Sequence, residues 1–123
     1  MYLGRSMRDA DGKSHEMVGL LSTETQMEPR LRSLGYREVT TTCDTFLGPT
    51  GTVFRGHEFH YSALKDDGGC QTAYHWTGRR GEGVCGYIDG NVLASYVHAH
   101  WGSNTDIPRA FVAACASTVR GAS

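Results

Sequence analysis

The sequence predicts an α/β chain, mostly β-strands and turns closed by a C-terminal helix. Three features predict it. Glycines cluster at hairpin spacing, the segments between them are rich in β-branched and aromatic residues, and one helical repeat begins only at Asp106. With 123 residues and 39% apolar composition there is material for one modest core and too little for two. No internal repeat or low-complexity stretch marks a boundary, so residues 1–123 read as one folding unit or a piece of one.

Taken in order, the opening Met1-Tyr2-Leu3-Gly4 offers neither a cap nor a strand lead-in and reads like a chain entered midway. Strands are expected over residues 36–42, 53–64, 72–77, 83–88 and 91–101. Gly48-Pro49-Thr50-Gly51 and Asp66-Asp67-Gly68-Gly69 supply turns between them. Near the end, Asn104, Thr105 and Asp106 offer capping oxygens and Pro108 suits a first helical turn. Ile107, Phe111, Ala114 and Thr118 then repeat at helical spacing, which predicts a helix over residues 106–119.

Charge narrows the function classes. Twelve basic and 13 acidic side chains nearly cancel and no Lys/Arg run stands out, so neither a nucleic acid nor an anionic membrane is expected as a partner. No stretch approaches the length of a membrane span, and Met1 to Arg8 lacks the apolar core of a signal peptide, which predicts a cytoplasmic chain. Cys43, Cys70, Cys85 and Cys115 form no CxxC pair and are expected as reduced thiols, with Cys115 in the core and Cys70 on an exposed loop.

Two segments carry candidate chemistry. Residues 90–101, GNVLASYVHAHW, form an apolar run ending in two histidines. On a continuous strand Tyr96, His98 and His100 would share one side, and Val97, Ala99 and Trp101 the other. The pattern alone favours two histidines that only cap a strand and hydrogen-bond nearby carbonyls. Residues 55–62, RGHEFHYS, place Glu58 with His60 on one face, where Glu58 could orient His60, and Arg55, His57, Phe59 and Tyr61 on the opposite face. A solvated surface strand would have much the same composition.

Competing motifs fail. His57 and His60 point to opposite faces of a strand and cannot chelate one ion. His98 and His100 could, but no third ligand stands at a recognisable spacing, so no metal site is predicted. Gly12-Lys13-Ser14 mimics the end of a phosphate-binding loop, yet Met7 occupies the position of its first glycine. Asp9-Ala10-Asp11-Gly12 starts like a calcium loop without the later ligands.

RGHEFHYS and GNVLASYVHAHW together resemble paired motifs of the cobyrinic acid a,c-diamide synthases. MYLGRSMRDADGKSHEMVGLL and RLRSLGYREV also look like that family, in the expected order along nearly the whole chain. The resemblance implies the C-terminal part of a class I glutaminase-like domain. Its parent would amidate the a and c carboxylates of cobyrinic acid in cobalamin biosynthesis, with ammonia drawn from glutamine and with ATP and Mg2+ bound in a separate N-terminal domain. Glutamine and cobyrinic acid are the implied small-molecule partners, no cofactor is implied in this segment, and a homodimer is allowed.

In the family a nucleophilic cysteine followed by two glycines precedes the sequence matching Tyr2-Leu3-Gly4. None of the four cysteines matches it, so the isolated chain is expected to be inactive. The resemblance makes His98 the catalytic base. His100 holds the place where many class I glutaminases carry an orienting glutamate and is a second catalytic candidate, while Glu58 and His60 are candidates for substrate binding. The rivals are a nickel-sirohydrochlorin a,c-diamide synthase, a histidine-based metal- or tetrapyrrole-binding module, and an inert product with uncovered apolar faces.

Overall fold

The computed structural model describes residues 1–121. β1 (Ser6–Arg8) and β2 (Ser14–Glu16) form a hairpin whose turn is held by one carboxylate. Asp9 Oδ1 accepts the backbone N–H groups of Asp11 (3.0 Å) and Lys13 (2.9 Å), and Asp9 Oδ2 lies 2.6 Å from His15 Nε2. The calcium-loop look-alike is therefore a turn whose leading carboxylate is already committed. β3 (Glu24–Met27) runs parallel to β1 and antiparallel to β6 (Ser62–Asp66), giving a four-stranded sheet in the order β2-β1-β3-β6. These first three strands were not expected from the sequence, because each is three or four residues long and lacks a strong alternation.

The second sheet is wholly antiparallel. It contains β4 (Ser33–Thr41), β5 (Val53–His60), β7 (Gln71–Gly78), β8 (Gly81–Asp89), β9 (Val92–Ala94) and β10 (His98–Ala99) in the order β10-β5-β4-β7-β8-β9. Along β4 burial alternates, with Arg37, Val39 and Thr41 inside and Leu34, Tyr36 and Glu38 outside. The inner face supplies Val39, Phe54, Tyr74 and Cys85 to the core, where Phe54 and Tyr74 meet edge to face at 5.3 Å.

Two expected strands are broken. Residues 53–64 divide at Tyr61, because the chain leaves the large sheet there and pairs with β3. The Tyr61 carbonyl accepts from Glu28 N–H at 2.9 Å, and the His60 carbonyl accepts from Arg32 N–H at 3.0 Å. Residues 91–101 split into β9 and β10, which lie on opposite edges of the large sheet. Residues 95–97 connect them. Ser95 Oγ accepts the Val97 N–H at 2.9 Å and forms the bend, and Val97 becomes part of the core. His98 thus sits on an edge strand.

This route needs a glycine on β5. A Cβ on Gly56 would lie 2.7 Å from the His98 carbonyl oxygen and would overlap the Val97 side chain, so only a bare α-carbon lets β10 approach. Gly86, at φ +72, likewise yields space to the Tyr74 ring.

A 3₁₀ turn (Trp101–Ser103) leads to α1 (Asp106–Gly121). Asn104 Oδ1 accepts the Asp106 N–H at 3.0 Å, and its Nδ2 donates to the Val53 carbonyl at 2.8 Å, fastening the helix start to β5. Ile107 is fully buried, a contribution of about 2 kcal/mol, and Phe111 packs on Phe46 and Trp101 at 6.0 and 5.5 Å. The side chain of Thr118, expected on the same stripe, lies outside the described residues. Cys115 is exposed, contrary to the core position expected, because the buried stripe of the helix runs through Ile107 and Phe111. Cys70 is half-buried in its loop. Among the described residues no helix is long and apolar enough to cross a membrane.

Two outcomes follow from this packing. Gly56→Ala should lose about 1–3 kcal/mol in denaturant unfolding, because the new methyl meets backbone that cannot step aside. Burial raises the phenols of Tyr74, Tyr87 and Tyr96, with Tyr87 pushed up to about 12. Raised phenol values mean that the folded state keeps protons the unfolded chain releases. The stability is present below the ordinary phenol value of about 10 and is lost as pH rises toward 12. Phenolate absorbance from these tyrosines should appear together with loss of the β-sheet circular dichroism signal.

Candidate functional site

β5 carries two different environments on its two faces. Toward the interior, Glu58 is only 5% exposed and sits in a closed hydrogen-bond set. Its Oε2 accepts from Arg37 Nε at 3.0 Å and Ser33 Oγ at 2.7 Å, and forms an ion pair with Arg37 Nη2 at 2.9 Å. Arg37 Nη2 also donates to Ser33 Oγ at 2.8 Å, and its guanidinium carbon lies 4.4 Å from the centre of the Trp76 ring. A carboxylate out of water must be neutralised, and Arg37 does this from the neighbouring strand.

His60 lies two residues further along, on the same side as expected. Glu58 does not orient it. Its Nδ1 is 2.7 Å from the Ser62 carbonyl oxygen, so that nitrogen carries the proton and Nε2 is left as an acceptor. The ring stacks on Tyr96 at 4.0 Å, and the Tyr96 hydroxyl meets Ser62 Oγ at 2.8 Å. Glu58 and His60 line a cleft of about 260 Å³ where the two sheets meet, together with Arg32, Trp76, Tyr87 and Tyr96.

His98 is on the other face. In the β5–β10 ladder it stands directly opposite His57, and Ala99 stands opposite Gly56. His57 in turn stands opposite Tyr36, whose ring meets it edge to face at 5.3 Å. A row of Tyr36, His57 and His98 thus crosses three strands on the outer surface, where Tyr36 is 81% exposed. The His98 ring is exposed and makes no hydrogen bond or ion pair among the described residues. Both of its ring nitrogens, one donor and one acceptor in the neutral form, are open to whatever lies over this face.

The expected grouping of Tyr96 with His98 and His100 is overturned by the bend at Ser95: Tyr96 turns inward onto His60 while His98 faces out. His100 is also exposed. Its backbone continues the ladder through an N–H to the Arg55 carbonyl at 2.8 Å, and its ring lies over Gly102 without a hydrogen bond to His98. The structure thus separates the four candidates, His98 and His100 from Glu58 and His60. Sequence reading missed His57 and Tyr36. Their alternation was readable, but only the pairing of β5 with both neighbours reveals that they flank His98.

None of the cysteines adjoins that row. Cys85 is buried 3.3 Å from Ser95 Oγ, Cys43 and Cys70 line a separate cleft with Asp44 and Asp89, and Cys115 is on the helix. No group of three or more His, Cys, Asp and Glu side chains among the described residues is arranged to hold a metal ion.

Removing the charge of Glu58 by Glu58→Gln would leave the Arg37 guanidinium buried without its counterion. We expect a loss of about 3–5 kcal/mol, read from urea unfolding, and therefore a structural defect even before any effect on chemistry.

Residues 1–106 match the CobB/CobQ-like glutamine amidotransferase domain. The chain is similar to a cobyrinate a,c-diamide synthase of Leptospira interrogans, 40% identical over 119 residues, which covers 94% of this chain and 26% of that protein. A cobyrinate a,c-diamide synthase of Priestia megaterium is 37% identical over 115 residues, covering 94% of this chain and 25% of the relative. A hydrogenobyrinate a,c-diamide synthase of Agrobacterium fabrum is 42% identical over 101 residues, 80% of this chain and 23% of its own. The chain spans about a quarter of the length of these curated relatives.

Proposed function

The chain belongs to the CobB/CobQ-like glutamine amidotransferase family, and from that premise we propose that residues 1–123 form the C-terminal portion of a glutaminase domain in which His98 is the general base. The parent, on this reading, uses glutamine and ATP to amidate the a and c carboxylates of cobyrinic acid. It works in the cytoplasm without a nucleic-acid or membrane partner, and a homodimer is compatible with it. The observation that carries the reading is an exposed imidazole with no side-chain partner among the described residues, at the matching motif position, in a chain whose relatives are cobyrinate and hydrogenobyrinate a,c-diamide synthases. Those names favour a corrinoid substrate over nickel-sirohydrochlorin.

The chemistry needs a thiolate. An imidazole takes the thiol proton as sulfur attacks the side-chain carboxamide carbon of glutamine; the C–N bond then breaks, and the nitrogen leaves as ammonia carrying that proton. The same imidazole next takes a proton from water, which attacks the thioester and releases glutamate. The open ring of His98 suits both proton transfers, and the thiol is supplied from outside residues 1–123. His100 supports the position of β10 through its backbone and is the nearer candidate for a secondary role. Glu58 acts by fixing β4 to β5 through Arg37, and His60 offers its Nε2 to the cleft on the inner side, where a polar part of the substrate is placed.

ATP and Mg2+ would be bound by the remainder of the parent. The residues described here do not fit them: Gly12-Lys13-Ser14 lies in the β1–β2 hairpin and its β2 strand, Asp9 is committed within that turn, and no metal-holding cluster of three ligands is present among the described residues.

Two measurements test the reading. The isolated chain should release no glutamate from glutamine. A chimera in which this chain replaces the corresponding quarter of the Priestia megaterium synthase should use glutamine, and His98→Ala should cut that activity by about 10²–10⁴-fold while amidation with added ammonia continues. Glutamine use within a few-fold of the unmutated chimera would remove His98 from the mechanism.

A further inference from the structure

The outer face holds a second capability that does not depend on catalysis. We propose that His57 and His98 together bind one divalent transition-metal ion, with water completing the coordination sphere.

Strand register and free ring nitrogens make the pair able to chelate. The two residues are direct partners in an antiparallel ladder, so their side chains leave the same face with Cβ atoms about 5 Å apart. Two imidazoles that begin at that separation can each place a nitrogen about 2.0–2.1 Å from one ion. Among the described residues neither ring spends a nitrogen on a hydrogen bond: His98 has no side-chain partner, and His57 has only the ring edge contact with Tyr36, which narrows its orientation without occupying its lone pair. Arg55, the cation nearest along that face of β5, is turned to Glu38 at 3.5 Å.

The other histidines are placed differently. His60 is held by Ser62, His15 by Asp9 and His75 lies 3.5 Å from Glu82, while His100 stands opposite no imidazole. With only two protein ligands the site would favour ions that prefer imidazole, namely Zn2+, Ni2+ or Cu2+, over Mg2+ or Ca2+. Such an ion would occupy the lone pair of the imidazole proposed as the general base and would therefore inhibit glutamine use. That consequence rests on the reading given above, whereas the binding does not.

The test uses the 123-residue chain itself. Calorimetric titration with Zn2+ should give one ion per chain, and His57→Gln and His98→Gln should each weaken binding by about tenfold or more, with His15→Gln unchanged. In the unmutated chain, trace Cu2+ should broaden the ring proton signals of His57 and His98 before those of the other histidines, a readout that needs no variant to fold. Absence of binding at millimolar Zn2+, wild-type affinity in the His57→Gln/His98→Gln double variant, or broadening centred on His15 or His100 would each overturn the proposal. In the chimera, Zn2+ should inhibit glutamine-dependent amidation and spare ammonia-dependent amidation. Binding without any such inhibition would leave the ion site standing and count against His98 as the base.

Discussion

The buried pair of Arg37 and Glu58 is the interaction on which the arrangement of both faces depends. It joins β4 to β5 at one register through a carboxylate oxygen that takes two hydrogen bonds and an ion-pair contact. A slip of one residue would turn Phe54 and Val39 to solvent and bring Arg55 and Tyr36 inside, so the register is strongly specified. Desolvating two charges makes such a pair a poor source of net stability, but leaving either one alone is costly. Its value lies in excluding alternatives. Because side chains alternate along β5, holding Glu58 inward also holds His57 outward.

The second constraint is steric. Residues 95–97 link the two edge strands β9 and β10, and β10 can close on β5 only because Gly56 has no side chain. An edge strand of two residues has few hydrogen bonds of its own, so its position depends on Val97 in the core and on Ser103 and Asn104, which reach back to β5. The place of His98 is thus determined by packing on the opposite face. Catalytic groups need geometry fixed to within a fraction of an ångström, and if His98 is the base proposed above, the inner core provides that support.

The outer face also explains why a polar row coexists with exposed apolar side chains. Phe59, Leu34 and Tyr36 remain about half or more exposed around His57 and His98. A reaction that passes through a thioester requires shielding from bulk water, and an apolar surround for the imidazole is what a covering surface would need to exclude it. On the proposed reading the chain contributes the imidazole and that surround, and the covering part brings the thiol.

The sequence by itself determined the β-rich character, the strands of the middle of the chain, the terminal helix and the faces of β5, because alternation, glycine spacing and capping residues act over a few neighbours. It also exposed the two motifs that tie the chain to its family. It did not reveal the short N-terminal strands, the break at Tyr61 or the inward turn of Tyr96, since each is set by a partner far along the chain: β3 for β6, Ser62 and His60 for Tyr96. Cys115 misled for a related reason, since a helical repeat identifies a helix without saying how much of its length meets the core. Only the tertiary structure decided that His98 faces His57 and that Glu58 is spent on Arg37, because pairing register is a property of two strands and cannot be read from either one alone.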